Sequence, residues 1–246
     1  MRHIFIGDIH GMLDSLNSLL DQLDLQQDDV IVFVGDLLDK GPDSVGVVGR
    51  VRSLADSHNV ILVKGNHEDT HARYRKHLKS NSNIAKQMAA NKPEIAQIND
   101  RLSDDDVAFL DAAVLFHRIP DLNVTVVHGG ICSNIKQLPD SVDTMSSLSG
   151  KLRKALKLVM FTRHVNADTG HFVGLGQERD VDPFWADVYD GRFGHVIFGH
   201  QPFIDGVKHF NHATGIDSGA VQGGSLSSLI INKDGKRSVV SVKCNN

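Results

Sequence analysis

Five short polar words, each set at or near the end of an apolar run, constrain this 246-residue chain more than any other feature. They are Gly-Asp-Ile-His-Gly at 7–11, Gly-Asp-Leu-Leu-Asp-Lys-Gly at 35–41, Gly-Asn-His-Glu at 65–68, His-Gly-Gly at 128–130 and Gly-His at 199–200. Together they hold Asp8, His10, Asp36, Asp39, Asn66, His67, His128 and His200, which no local turn brings together. Only a folded sheet can gather such residues, and a metal cluster is the evident reason to do so.

The first half of the chain alternates strand and helix. Runs of β-branched and aromatic residues at 3–6, 30–34 and 61–63 each lead into one of the words, as buried strands ending at a functional edge do. Leu13, Leu16, Leu19, Leu20 and Leu23 recur at three- and four-residue spacing and make an amphipathic helix. Asp43 or Ser44 can cap a second helix that buries Val47, Val48, Val51 and Leu54. This βαβαβ order predicts a parallel sheet.

From 70 to 122 strand signals disappear, and residues 88–98 and 104–115 read as helices, the second capped by Ser103 with Asp106 three residues on. The segment is expected to be a helical insertion that shapes access to the site, with 76–101 as a solvated helical hairpin. Strands return at 124–127, 196–198, 226–231 and 238–242, with Lys233-Asp234-Gly235 as the turn between the last two. A helix is expected near 148–158 and a loop over 166–182. With 41% hydrophobic content, residues 1–246 suit one domain with a single sizeable core.

A net charge of −4 leaves no basic footprint for phosphate-backbone binding, which excludes a dedicated nucleic-acid binder. Cys132 and Cys244 are too few and too far apart to frame a disulfide scaffold. The N-terminal apolar run is shorter than a signal-peptide core, and no stretch approaches the roughly 18 apolar residues that span a bilayer. A cytoplasmic protein with no membrane contact is expected.

Asp8 and His10 are two apart, so in an extended segment their side chains point the same way and can grip one ion. Asp36 follows the next strand, and neighbouring strand ends lie about 5 Å apart, close enough for Asp8 and Asp36 to share a cation. A carboxylate can bridge two metals, which leaves Asn66, His128 and His200 as neutral ligands for a second ion about 3.5–4 Å from the first. This mixture of oxygen and imidazole donors suits Mn²⁺, Fe or Zn²⁺ better than Ca²⁺.

In this order the words GDIHG, GDLLDKG, GNHE, HGG and a late GH resemble the metallophosphoesterases, in the calcineurin-like phosphoprotein phosphatase branch with its bacterial and phage members. The resemblance runs from residue 8 to about 224. It implies a four-layer α/β sandwich, two mixed β-sheets face to face with helices outside. It also implies two divalent metal ions, with Mn²⁺ ahead of Fe or Zn²⁺. Asp8, His10 and Asp36 would hold the first, and Asp36 as a bridge with Asn66, His128 and His200 the second. A hydroxide bridging the ions would attack phosphorus in line. His67 would protonate the leaving oxygen as general acid, with Asp39 accepting its other N–H.

Asn66, Arg163 and Lys40 are the residues the resemblance assigns to substrate phosphate. Family members usually carry arginine where Lys40 stands, and lysine neutralises charge without the planar bidentate fork. The implied reaction is phosphomonoester hydrolysis, with phosphoserine or phosphothreonine in proteins as the leading substrate. The alternative is a dinucleoside polyphosphate of the diadenosine tetraphosphate type, because 161–163 and 215–219 look similar to hydrolases of that group. The retained Asp39 stands against it, since the symmetrically cleaving relatives commonly lack that aspartate. A third reading, a non-catalytic scaffold, has no use for His67 and Asp39. Glu68 reads as support for its own loop, His164 as a surface histidine, Cys132 as a buried small hydrophobe, and Phe184, Trp185 and Tyr189 as a helix packed on the core.

Overall fold

Along β1 (His3–Ile6), Ile4 and Ile6 turn to one face and Phe5 to the other, and all three are fully buried, so this strand needs cover on both sides. β2 (Val30–Phe33) repeats the pattern, with Ile31 and Phe33 on one face and Val30 and Val32 on the other. The computed structural model, which describes residues 1–139 and 150–244, shows what provides the cover. α1 (Leu13–Leu23) and α2 (Ser44–Ala55) lie over the Ile4–Ile6 face, burying Leu16, Leu19, Val47 and Val51. Asp43 caps α2 by accepting the Gly46 N–H at 2.9 Å.

β1, β2 and β3 (Asn59–Leu62) are parallel, and β11 (Ser225–Ile231) and β12 (Arg237–Lys243) extend the sheet antiparallel on the other side of β1. The second sheet has β5 (Val124–Val127), β8 (His195–Phe198) and β10 (Ala213–Gly215) in parallel. β4 (Phe116–Ile119) and β9 (Lys208–His209) pair antiparallel at its two edges. Phe5, Val32, Val126, Ile197 and Leu229 meet between the sheets in one buried cluster. The outer face of the second sheet is covered by α7 (Gly150–Lys157), through Leu156, and by α8 (Trp185–Val188), through Trp185. The expected four-layer sandwich of two mixed sheets flanked by helices is therefore the fold.

Four helices connect β3 to β4: α3 (Asn66–Lys79), α4 (Asn83–Asn91), α5 (Pro93–Arg101) and α6 (Asp104–Asp111). Tyr74, Ala85 and Ile95 pack α3, α4 and α5 together in a small cluster of their own. The single helix predicted over 88–98 is two helices broken at Lys92, because Pro93 has no N–H to donate and its ring clashes with a preceding turn. Ser103 and Asp106 do form a reciprocal cap, but α6 stops at Asp111 instead of 115.

β4 lies inside the stretch expected to hold only helices. Only Phe116 and Ile119 of its four residues are buried, so the alternation that marks a strand is missing. The loop expected over 166–182 contains β7 (Phe172–Val173), paired with β6 (His164–Val165). β10 escaped notice because its Gly215 lies against the rings of Phe198 and Phe203, which fill the place a side chain would take. The first two residues of the helix expected near 148–158 lie outside the described residues. Cys132, Trp185 and Tyr189 are buried in the second sheet's outer core, as expected.

Candidate metal centre and adjoining pocket

Every word sits at the carboxyl end of a parallel strand. Asp8 follows β1, Asp36 follows β2, Asn66 follows β3, His128 follows β5 and His200 follows β8. In open α/β sheets this is the edge where ligands bind, because parallel strands deliver all their outgoing loops to one side. The loops are bent unusually tightly. Of eight non-glycine residues with positive φ among those described, five are His10, Asp36, Asp39, Lys40 and His200. Each such residue costs on the order of 1–3 kcal/mol and persists only where its surroundings impose it.

Asp36 is the centre of the cluster. Its Oδ2 lies 3.2 Å from His128 Nε2, 3.6 Å from His10 Nε2 and 3.9 Å from His67 Nε2. Two triads share it: His10, Asp36 and His67, and Asp36, His128 and His200, with candidate ligand atoms within 4.8 Å of one another. Asn66 joins the second, its Oδ1 accepting from His128 Nε2 at 3.1 Å. His10 and His128 each turn Nδ1 to a backbone carbonyl, of Leu38 and Val34, both at 2.8 Å. That leaves each Nε2 facing the cluster, the orientation a metal-binding histidine takes. Asp8 belongs to the same buried group, with its carboxylate accepting the His200 N–H at 3.0 Å and 3.2 Å.

The electrostatics fit a divalent cation. Burial and the nearby Asp217 carboxylate push Asp8 well up, so these acids are uncomfortable together. Burial would lower His128, yet the Asp36 and Asp8 carboxylates raise it to about 10. His10, by burial, falls to about 4, and His200 falls to about 2 through burial and the charges of His128 and Arg163. Buried carboxylates facing imidazole Nε2 atoms form a donor set that a divalent ion would satisfy. Asp217 was not anticipated as part of this group. It stands in the Gly215-Ile-Asp-Ser-Gly219 stretch, two residues past the β10 end.

His67 opens α3 and hydrogen-bonds through Nδ1 to Asp39 Oδ2. Asp39 also accepts from His71 Nε2 at 3.0 Å and from Lys92 Nζ at 2.6 Å. Burial works to raise the Asp39 carboxyl, but the hydrogen bonds from His67 and His71 overcome it and hold the group far below the usual carboxylate range. His71 was legible in principle, being four residues from His67 on the same helix face. Lys92 carried no such signal. Glu68 supports its loop as expected, its Oε2 accepting the N–H groups of Gly65 and Asp36.

Arg163 lies at the site. Its Nη2 donates to the His200 carbonyl at 2.7 Å, while its buried Nε has no partner among the described residues. Lys40 turns inward, with Nζ 2.8 Å from His10 Nε2. Arg163, Asn66, His67 and His200 line a pocket of about 360 Å³ together with the apolar Phe161, Phe172 and Leu175. His164, expected at the surface, also lines it.

Carboxylates and imidazoles gathered around a shared aspartate, beside a His–Asp pair and a half-buried arginine, define a metal-dependent phosphoester hydrolase. The chain belongs to the calcineurin-like phosphoesterase family, whose model matches residues 1–203. Curated relatives span it almost fully. The bis(5'-nucleosyl)-tetraphosphatase [asymmetrical] of Oceanobacillus iheyensis is 26% identical, covering 92% of this chain and 87% of its own length. The protein of the same name from Bacillus subtilis is also 26% identical, covering 92% and 89%. A solved structure provisionally described as a diadenosine tetraphosphatase superposes with TM-score 0.69 at 28% identity, covering 100% of this chain and 94% of that one. A serine/threonine phosphatase from Saccharomyces cerevisiae shares the fold, with TM-score 0.65 at 15% identity, covering 100% and 81%. Among the described residues, no helix is long and apolar enough to cross a membrane.

Proposed function

We propose that this chain hydrolyses dinucleoside polyphosphates of the diadenosine tetraphosphate type. The observation that carries this reading is the pocket, where Phe161 and Leu175, 37% and 79% exposed, line the same cavity as His67 and Arg163. An apolar and aromatic face beside phosphate-binding groups suits a nucleobase whose phosphates lead into the centre. The names of the relatives support it, and they specify asymmetrical cleavage, so the retained Asp39 is no longer an objection. Phosphoprotein hydrolysis, the substrate put first from the words alone, gives way to this reading.

Asp8, His10, Asp36, Asn66, His128 and His200 would hold two divalent ions, Mn²⁺ foremost. When bound, these supply an activated water and neutralise phosphoryl charge. The protein's own groups do the rest. Arg163, whose side chain lines the pocket, would pair its guanidinium with a phosphate oxygen, with Asn66 and Lys40 as further donors. His67 keeps Nδ1–H on Asp39 and gives the Nε2 proton to the leaving oxygen. Residues 1–246 would form a single domain, and the residues lining the pocket lie outside the 70–122 segment expected to shape access. A cytoplasmic location accords with two buried free cysteines, Cys132 and Cys244.

The test is turnover in Mn²⁺ of diadenosine tetraphosphate, a phosphoserine peptide and p-nitrophenyl phosphate. The dinucleotide is expected to lead in kcat/KM by at least about tenfold, the discrimination a filled apolar pocket supplies. A lead for the phosphopeptide would overturn the reading.

A further inference from the structure

Asp39 is buried, and only one of its three side-chain donors, His67, belongs to the five words. The other two connect it to the α4–α5 hairpin. Lys92 stands between the two helices with φ −143° and ψ 81°, and the following Pro93 disfavours a helical conformation there. The chain is thus held extended at this point, and the lysine side chain reaches Asp39 Oδ2 at 2.6 Å. Asn99, on α5, acts on the other oxygen at one remove. Its Oδ1 accepts from Arg75 Nη1 at 3.2 Å, which leaves Nδ2 to donate to His71 Nδ1 at 2.7 Å. With Nδ1 accepting, His71 must carry its proton on Nε2, and it donates that proton to Asp39 Oδ1 at 3.0 Å.

We propose that Lys92 and Asn99 are positioning residues through which the helical hairpin sets the acid pair. They hold the Asp39 carboxylate from both ends so that Oδ2 faces His67 Nδ1, which fixes one proton on Nδ1 and leaves Nε2 as the nitrogen that takes up and gives the acidic proton. Lys92 is not among the residues that line the pocket, so it acts through Asp39. The proposal rests on His67 being the proton donor. It does not depend on which phosphoester is the substrate.

Two measurements on the full chain test it. The first needs no substrate: ¹⁵N NMR of the His67 ring in metal-free protein reports which nitrogen is protonated. The native protein is expected to show the Nδ1–H form, and Lys92→Met to show a mixture or a shifted Nδ1 signal. The second compares kcat for Mn²⁺-loaded enzyme on phosphoesters with increasingly basic leaving groups. Lys92→Met is expected to lose about tenfold on an alkyl ester and less than about twofold on the p-nitrophenyl ester, a fraction of what general acid catalysis supplies. Lys92→Arg should recover most of the loss, Asn99→Ala should show the same trend more weakly, and adding Lys92→Met to His67→Asn should cost nothing further. An unchanged His67 spectrum, a loss equal across all leaving groups, or an additive loss in the double variant would each overturn the proposal. A failed dinucleotide preference with these results intact would count only against the substrate.

Discussion

Glu68 reaches back from the first turn of α3 to accept the backbone N–H of Asp36 at 2.8 Å, so the helix that begins in one word holds the loop of another. The same carboxylate takes the N–H groups of Gly65 and Leu37, at 2.9 Å each. Replacing it by Glu68→Gln puts an amide donor against one of these donors. We expect a loss of about 1–3 kcal/mol in stability, the cost of a buried polar group left unpaired. Mn²⁺ affinity should weaken about tenfold or more, as when other outer partners of ligands are lost. Thermal unfolding and calorimetric Mn²⁺ titration check both.

His67→Asn removes the acid without removing an expected ligand. Metal analysis should still find two ions, while kcat falls by about 10²–10⁴, the range for a lost general acid. Unchanged turnover would remove His67 from the mechanism. Because Asp36 Oδ2 lies near both His10 Nε2 and His128 Nε2, Asp36→Asn should instead weaken occupancy of both ions, and two full sites would contradict its bridging role.

Leu175 contributes apolar surface to the pocket while remaining largely exposed, so Leu175→Ser should leave folding intact. For diadenosine tetraphosphate we expect KM to rise about fivefold to tenfold with kcat within about twofold, the pattern of lost uniform binding. Steady-state kinetics on the dinucleotide decides this.

Away from the centre, Asp29 is buried and accepts from Arg2 Nε at 2.9 Å, Arg2 Nη2 at 2.5 Å and the Gln26 N–H at 2.8 Å. Burial alone would raise its carboxyl, but these bonds bring it below its ordinary value of 3.8. A depressed native pKa stabilises the fold above the unfolded-state value and loses that contribution as pH falls through the native one. Asp29→Asn should therefore cost about 1.5–3 kcal/mol at pH 7, with the gap to the native protein closing below about pH 4. Denaturant melts across that range measure it.

Much of this molecule was legible from residue order. β1 begins and ends where its β-branched run does, and the leucine spacing of α1, the Asp43 cap of α2 and the Ser103–Asp106 cap of α6 are all present. These are local signals, each complete within a few residues. The elements missed are those whose reason is elsewhere in the chain. β10 has an Ala-Thr-Gly sequence because Phe198 and Phe203 crowd it, and β4 is a strand because β5 lies beside it.

The same division runs through the site. By itself the sequence determined the ligand types, their order and the family, because carboxylates, imidazoles and turn glycines at strand ends declare metal chemistry wherever the strands lie. Only the tertiary structure decided that Arg163 turns to His200, that Phe161 and Leu175 share a pocket with His67, and that Lys92 reaches Asp39 while Asn99 reaches His71 beside it. Those relationships follow from how α4 and α5 pack on α3 and how β6 and β7 line the pocket, and a lone lysine or arginine carries no local mark of the partner it will meet.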